Sequence, residues 1–321
     1  MTSKKLRIGT RGSRLAIHQT EKVASALKSA HPDIACEIVP IKTSGDWTPA
    51  QGDTPLAARG GDKGLFAKEI EKSLLDGHID LAAHSVKDLP THLPEGLILT
   101  AYVPREDARD ALVTRSGAGC LMDLPADSVI GTSSVRRAAM INIRRPDLRV
   151  VPIRGNLDTR LEKHSRGQVE ALILAKSGLD RLNYSHLISE TLAPELMLPG
   201  AGQGAIGIEI RADDALMTQI CDHINHRETD FCITAERAML RALDGSCATP
   251  IGAFAEYTSP ETITLRGLLA DPDGGWMEEN SQTAKITDLR GAFELGRSTG
   301  LAIRRNIPDH IEFELGLAAG P

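Results

Sequence analysis

The feature that most constrains this chain is an alternation, over its first two-thirds, of short β-branched runs with amphipathic stretches. Strands joined through helices pair in parallel and bury both faces of their sheet, so this order implies an α/β architecture with helices on either side. Leu6–Ile8 reads as a strand, and Ser13–Ser29 as a helix with Ala16, Val23, Leu27 and Ala30 near one face. Glu37–Ile41 is a second strand. Phe66, Ile70 and Leu74 mark a helix that Gly77 ends, and Ile79–Ala83 is a third strand. The pattern then restarts: strand Val129–Ile130, helix Ser134–Arg144 stopped before Pro146, and strands Arg149–Val151 and Ala171–Leu174. The Pro/Gly-rich Leu198–Gly202 passage marks a crossing between lobes, followed by a strand at Ile206–Ile210. A helix over Glu228–Leu243 leads to a third region, with antiparallel strands Ile251–Tyr257 and Thr262–Leu269 and a helix near Leu289–Arg304. At 321 residues the chain is too long for one ordinary domain, so two or three are expected.

Composition narrows the function. The net charge is −6, and no stretch approaches the ~18 consecutive apolar residues of a membrane helix. The first residues carry no apolar signal region, which points to the cytoplasm. Five cysteines (Cys36, Cys120, Cys221, Cys232, Cys247) form an odd set with no close pairing, against a disulfide framework. Aromatic residues make up 3% of the chain, which disfavours nucleic-acid platforms built on stacked rings. A membrane or nucleic-acid partner is therefore not expected.

Two junctions resemble one another. Ile8-Gly9-Thr10-Arg11-Gly12-Ser13 and Ile130-Gly131-Thr132-Ser133-Ser134 each run from a strand through Gly-Thr to a serine that opens a helix. The simpler reading is an ordinary N-cap at each serine. The repetition, with arginines beside both, favours anion sites at helix starts facing a shared cleft at the carboxyl ends of the strands. Between Ile130 and Arg166 nine basic residues meet three acids, a window of +6 in a chain of −6. Arg144 and Arg145 read as a solvated helix end. Arg136 and Arg137 stand in the first turn of a helix, against its dipole, and imply a bound anion that compensates them. Arg154 and Arg160 follow the next strand on the same predicted edge. The inferred partner is a small molecule with several negative groups.

Asp88, in His84-Ser85-Val86-Lys87-Asp88-Leu89-Pro90, follows a strand's carboxyl end, where α/β sheets carry their chemistry. It is a candidate proton donor or stabiliser of a developing cation, against the simpler reading of a loop salt bridge. Cys247, within the small-residue loop Gly245-Ser246-Cys247-Ala248, is a candidate nucleophile or attachment point, whereas the other cysteines read as core thiols. Two matches are decoys. Gly202-Gln203-Gly204-Ala205-Ile206-Gly207 fits a dinucleotide fingerprint in letters, but a strand rather than a helix follows it. Cys221, His223, His226 and Cys232 fit no structural-zinc spacing, so no metal is expected.

Seven ordered segments now stand out: Arg7–Ser13, Lys63–Glu69, His84–Pro90, Gly131–Arg137, Arg154–Arg160, Gly202–Glu209 and Ala235–Gly252. On them the chain resembles the porphobilinogen deaminase (hydroxymethylbilane synthase) family from end to end. The resemblance implies three domains: two lobes like periplasmic binding proteins, with mainly parallel mixed sheets, and a small α/β C-terminal domain with an antiparallel sheet. Their bounds would be 1–103 with 200–222, then 104–199, then 223–321. It implies a cytoplasmic, monomeric transferase that deaminates porphobilinogen and condenses four units onto a dipyrromethane cofactor, held by a thioether to Cys247, before releasing the linear tetrapyrrole. It makes Asp88 and Lys87 catalytic. It assigns Arg11, Ser13, Ser85, Thr132, Ser134, Arg136, Arg137, Arg154, Arg160, Arg181 and Gln203 to substrate and cofactor carboxylates, and Lys63 and Phe66 to a flap. Asp62 interrupts the family's usual Gly-Gly-Lys-Gly-Leu-Phe, and Ser246 replaces the commoner Gly before the cysteine.

Overall fold

The computed structural model describes residues 4–48, 50, 52–53, 64–115, 117, 119–245, 249–308 and 311. In chain order the elements begin with β1 (Lys4–Arg11), α1 (Arg14–Ala30), β2 (Ile34–Ile41), α2 (Lys68–Leu75), β3 (Leu81–Ser85) and β4 (Leu97–Tyr102). Then come β5 (Asp110–Thr114), β6 (Val129–Gly131), α3 (Val135–Arg144), β7 (Arg149–Val151), α4 (Leu157–Ser165), β8 (Ala171–Ala175), α5 (Lys176–Arg181) and β9 (Glu190–Thr191). The last third holds β10 (Ile206–Arg211), α6 (Ala215–Asp222), α7 (Arg227–Ala242), β11 (Ile251–Ser259), β12 (Thr262–Ala270), β13 (Met277–Lys285) and α8 (Leu289–Arg304). The chain divides into two compact units, one of residues 1–46, 62–106 and 204–230, the other of 47–61, 107–203 and 231–321.

The first unit is built on a sheet of order β2-β1-β3-β10-β4. β1 pairs in parallel with β2 and β3, while β10 runs antiparallel to both β3 and β4. α1 buries Ala16, Gln19, Thr20, Val23 and Leu27, the spacing of one helical face, against the sheet. Ala30, at its last turn, is exposed, so the expected face stops one turn short. Leu6, Ile8, Val23, Leu27, Leu81, Ile206, Ile208 and Met217 form the core on this side. On the other side Ile70 and Leu74 of α2 pack with Ile79, Ala82 and Leu97.

The second unit carries two sheets. One, of order β7-β6-β8-β5-β9, repeats the plan of the first: β6 pairs in parallel with β7 and β8, and an inner strand, β5, runs antiparallel to β8 and β9. The other is the antiparallel meander β11-β12-β13. Phe231, Ala235 and Met239 of α7 and Ala292, Leu295 and Ile303 of α8 cover it. α8 approaches α7 through glycines, since a Cβ on Gly296 would lie 2.0 Å from the Ala235 carbonyl oxygen and one on Gly300 would lie 2.7 Å from the Ala242 Cβ. The mixed α/β class, the two parallel-rich sheets and the small antiparallel sheet all agree with expectation. β4, β5, β9, β13, α5 and α6 were not anticipated. Among the described residues no helix is long and apolar enough to cross a membrane.

Candidate active site

In the first unit, β3 ends at Ser85 and the chain turns once through a single 3-10 turn, Val86–Asp88. The turn is pinned by its backbone: the Val86 N–H donates to the Ala205 carbonyl (3.2 Å) and the Leu89 N–H to that of Val86 (3.1 Å). Ser85 Oγ meets the Gln19 side-chain amide, 2.8 Å from Nε2. Asp88 is half-buried at the end of this turn, and its carboxylate has no hydrogen-bond or ion-pair partner among the described residues. The loop salt bridge that would have made it merely structural is absent there. Lys87, beside it, is half-buried and engaged.

Arg11, at the end of β1, sits 4.2 Å over the Phe66 ring and bonds Asp46 Oδ1 at 2.7 Å. Burial of Asp46 opposes its charge, yet the Thr43 N–H and Arg11 hold its carboxyl below the usual range. Arg11 therefore has an internal counter-ion, which the sequence reading did not foresee. Ser13 caps α1, its Oγ accepting from the Ala16 N–H (3.2 Å). Ser134 caps α3 in the same way, accepting from the Arg137 N–H at 3.4 Å, and Thr132 Oγ1 accepts from the Ser134 N–H at 3.2 Å. All three hydroxyls serve their own helix starts.

Arg136 and Arg137 have a counter-charge that the sequence reading did not foresee. The anion that compensates them is a side chain of the same unit, Asp110 on β5, which is fully buried. Arg136 Nη2 donates to one carboxylate oxygen at 2.8 Å, and Arg137 donates to the other through Nε (3.1 Å) and Nη2 (2.7 Å). Their remaining donors reach the Leu198 and Ile173 carbonyls. Gln203 completes the cluster, donating to Asp110 at 2.8 Å and to the Ala108 carbonyl at 2.6 Å while accepting from Arg137. Burial works against Asp110's charge, but Arg136 and then Arg137 hold its carboxyl far below the usual range. Gln203 is itself held in place, because Glu236, fully buried, accepts the Gly202 N–H (2.7 Å) and the Ala255 N–H (2.8 Å). Two guanidiniums against one carboxylate leave the cluster with a net positive charge in a low-dielectric surround.

A second cationic group gathers around α4. Asp53 Oδ1 accepts from the Arg154 N–H and from Lys163 Nζ, both at 2.6 Å. Lys163 also donates to the Arg154 carbonyl and lies 4.7 Å from the Trp47 ring centre. Arg160 donates from Nε to the Gly155 carbonyl, and Arg154 and Arg181 are buried and engaged. Arg145 is not the solvated helix end expected: its guanidinium binds the Leu121, Met122 and Leu124 carbonyls and Asp147.

Cys247 and Lys63 lie outside the described residues. β10 follows the glycines of 202–207, as a strand should where no dinucleotide fingerprint exists. Cys221 is buried, and burial, with Asp214 nearby, pushes its thiol up to about 12, far from a metal-ready thiolate. Sequence reasoning missed Asp46, Asp53, Asp110 and Glu236, and counted Lys163 only as one of the nine basic residues between Ile130 and Arg166. Asp110 had one signal: an acid opening an apolar strand, Asp-Ala-Leu-Val-Thr, in a chain with two unmatched arginines.

A family model described as "Porphobilinogen deaminase, dipyromethane cofactor binding domain" matches residues 6–219, and another described as "Porphobilinogen deaminase, C-terminal domain" matches 231–305. The chain belongs to the porphobilinogen deaminase family. A protein of Oryza sativa subsp. japonica named porphobilinogen deaminase, chloroplastic, is 46% identical over 299 residues, covering 92% of this chain and 82% of the relative. One of Chlorobium luteolum named porphobilinogen deaminase is 46% identical over 295 residues, covering 91% and 92%. Among solved structures, the periplasmic VFT2 domain of Bordetella pertussis BvgS is similar at 14% identity and TM-score 0.41, over 69% of this chain and 86% of that one.

The residues present fit the dipyrromethane that this family's domain is described as binding. A group bearing several carboxylates needs fixed positive charge, and the Asp110 cluster keeps an excess of it. Asp53 is an internal carboxylate held at the α4 end by the Arg154 backbone N–H and the Lys163 ammonium, the pair of donors a ligand carboxylate would also need.

Proposed function

We propose that this chain is a hydroxymethylbilane synthase, a transferase that deaminates porphobilinogen, joins four units head to tail, and releases the linear tetrapyrrole. Sequence similarity over nine-tenths of the chain supports the activity, and the observation that carries the mechanism is the Asp88 carboxylate, without a partner among the described residues, on the turn that closes β3. Dipyrromethane, held through a thioether at Cys247, supplies when bound the electron-rich pyrrole carbon to which units are added.

Loss of ammonia from the substrate's aminomethyl carbon breaks a C–N bond and leaves a positive charge delocalised onto the pyrrole nitrogen. A carboxylate facing that N–H stabilises the charge as it develops and can take and return the proton. Asp88 has that capacity because no cation among the described residues already pairs with it. Lys87 supplies a neighbouring positive charge for substrate carboxylates, and Ser85, oriented by Gln19, a hydroxyl. Arg136, Arg137 and Gln203 hold positive charge in place rather than at the end of mobile side chains, which favours an anionic ligand without the cost of ordering it. Arg154, Arg160, Lys163 and Arg181 extend the same function. Arg11, Ser13, Thr132 and Ser134 contribute through the geometry of the two helix starts.

We infer further that the chain comprises three domains, in agreement with its three separate sheets, and acts as a cytoplasmic monomer. The four described cysteines are all free thiols, consistent with a reducing compartment.

Intact-protein mass tests the reading. The purified chain should exceed its sequence mass by one dipyrrole unit, with heavier species on addition of porphobilinogen, and Cys247→Ser should remove the excess. Asp88→Asn should keep the adduct yet lose on the order of 10²-fold in turnover. A fully active chain at its bare sequence mass would overturn the attachment, and near-normal turnover of Asp88→Asn would overturn the role of that residue.

A further inference from the structure

Beneath β3 lies a group of acids that the proposed mechanism does not use. β10 pairs antiparallel with β3 so that Gly207 faces His84 and Glu209 faces Ala82. Across that ladder His84 Nε2 lies 3.0 Å from Glu209 Oε2. Glu71, from α2, completes the set. Glu209 is 0% exposed, Glu71 6% and His84 7%. The second oxygen of Glu209 and Oε1 of Glu71 are buried with no hydrogen-bond partner.

Two buried orphan carboxylate oxygens are costly, and no cation among the described residues is paired with them. α2 packs against β1, β3 and β10. From β3 comes only His84. From β10 comes Glu209, while Arg211 of the same strand is spent on the Leu74 and Ile79 carbonyls and on Asp214. Arg7 of β1 is paired with Asp80. On α2 itself Lys68 and Lys72 are exposed, Lys72 pairs with Asp76, and Glu69 accepts from the Ser44 N–H.

We propose that Glu71 keeps its proton in the folded protein and donates it to the free oxygen of Glu209, making Glu71, Glu209 and His84 one buried hydrogen-bonded chain that positions the strand end carrying Asp88. A single proton satisfies both orphan oxygens at once. It leaves one negative charge, on Glu209, with the His84 N–H donating to it. Burial and then the charge of Glu209 push Glu71 up to about 7, with His84 acting in the opposite direction. The consequence reaches the reaction through β3: His84 precedes Ser85, and the turn bearing Asp88 begins immediately after. Glu71 is thus a positioning residue, not one that touches substrate.

This inference rests on the deaminase reading for its kinetic arm only. Glu71→Gln keeps the shape and a permanent donor but cannot ionise. It should retain turnover near pH 6 and lose the fall in kcat that the unaltered chain shows as pH rises through about 7. Coincident pH profiles for the two proteins, with the adduct present in both, would overturn the proposal. Glu71→Leu, which has no donor, should lose most turnover at every pH. If it turns over like Glu71→Gln, the hydrogen bond has no positioning role. The second arm needs no activity. A group whose folded pKa lies above its unfolded value stabilises most at low pH and loses that contribution as pH rises through the folded value. The thermal midpoint of the unaltered chain relative to Glu71→Gln should therefore fall between about pH 5 and pH 8. A constant difference across that range would sink the protonated Glu71, whereas a chain that never turns over porphobilinogen would count against the function alone.

Discussion

At the scale of single residues, Asp110 decides more than any other. It is fully buried and, among the described residues, is the one carboxylate bonded to both Arg136 and Arg137. Asp110→Asn would keep the shape but leave two guanidiniums buried without a counter-charge, at a cost of about 3–5 kcal/mol. An unfolding free energy lowered by that amount, read from an earlier denaturant midpoint at unchanged slope, is the expected outcome; a loss below about 1 kcal/mol would mean the arginines find another partner. Its folded pKa lies below the unfolded 3.8, so this contribution is present above that value and lost as pH falls. Asp110 also marks how far the site could be read in the sequence. Cations at a helix start needing an anion was sound physics, and the need was met. The anion went unseen because it sits 26 positions before Arg136, and nothing in the sequence pairs an acid that opens an apolar strand with one particular helix start. The place of Asp88, just after an apolar strand, was legible in the sequence, whereas its catalytic role came only from the family resemblance, because a polar run before a proline fits a loop salt bridge equally well. The Glu71 set was not legible, since its members come from three elements.

Among elements, α8 carries a clear constraint. Its face toward α7 is made of glycine at two positions one turn apart, and the backbone of α7 fills the space a side chain would need. Gly296→Ala forces the helices apart; overpacking of this kind costs typically about 1–3 kcal/mol, although alanine is the better helix former. Thermal unfolding should show the loss, and a midpoint equal to or above that of the parent would contradict the packing. Helices were the easiest elements to read: α1 and α8 follow a 3.6-residue period over four turns. β13 escaped because its residues, Met-Glu-Glu-Asn-Ser-Gln-Thr-Ala-Lys, are mostly polar and its side chains alternate between partial cover and solvent. Such a strand at a sheet edge is held by its ladder to β12 rather than by apolar burial.

For the molecule as a whole, the two parallel-rich sheets follow one plan, and each admits a single reversed inner strand. The class and the restart of the pattern were visible from the alternation itself. The reversed strands were not, because direction depends on which connection a strand terminates, not on its own residues. A chain ending at residue 203 would lack β10 and leave β3 and β4 without the strand that joins them. It should give no cooperative unfolding transition for the first unit and should be degraded rapidly by protease; a protected fragment of residues 1–106 would refute this.

The late position of β10 has a bearing on synthesis. The first sheet opens the chain yet cannot close until residues 206–211 leave the ribosome, with roughly two-thirds of the polypeptide made. Until then β3 and β4 each carry an unfilled edge where β10 will later pair, the kind of edge along which other extended chains add.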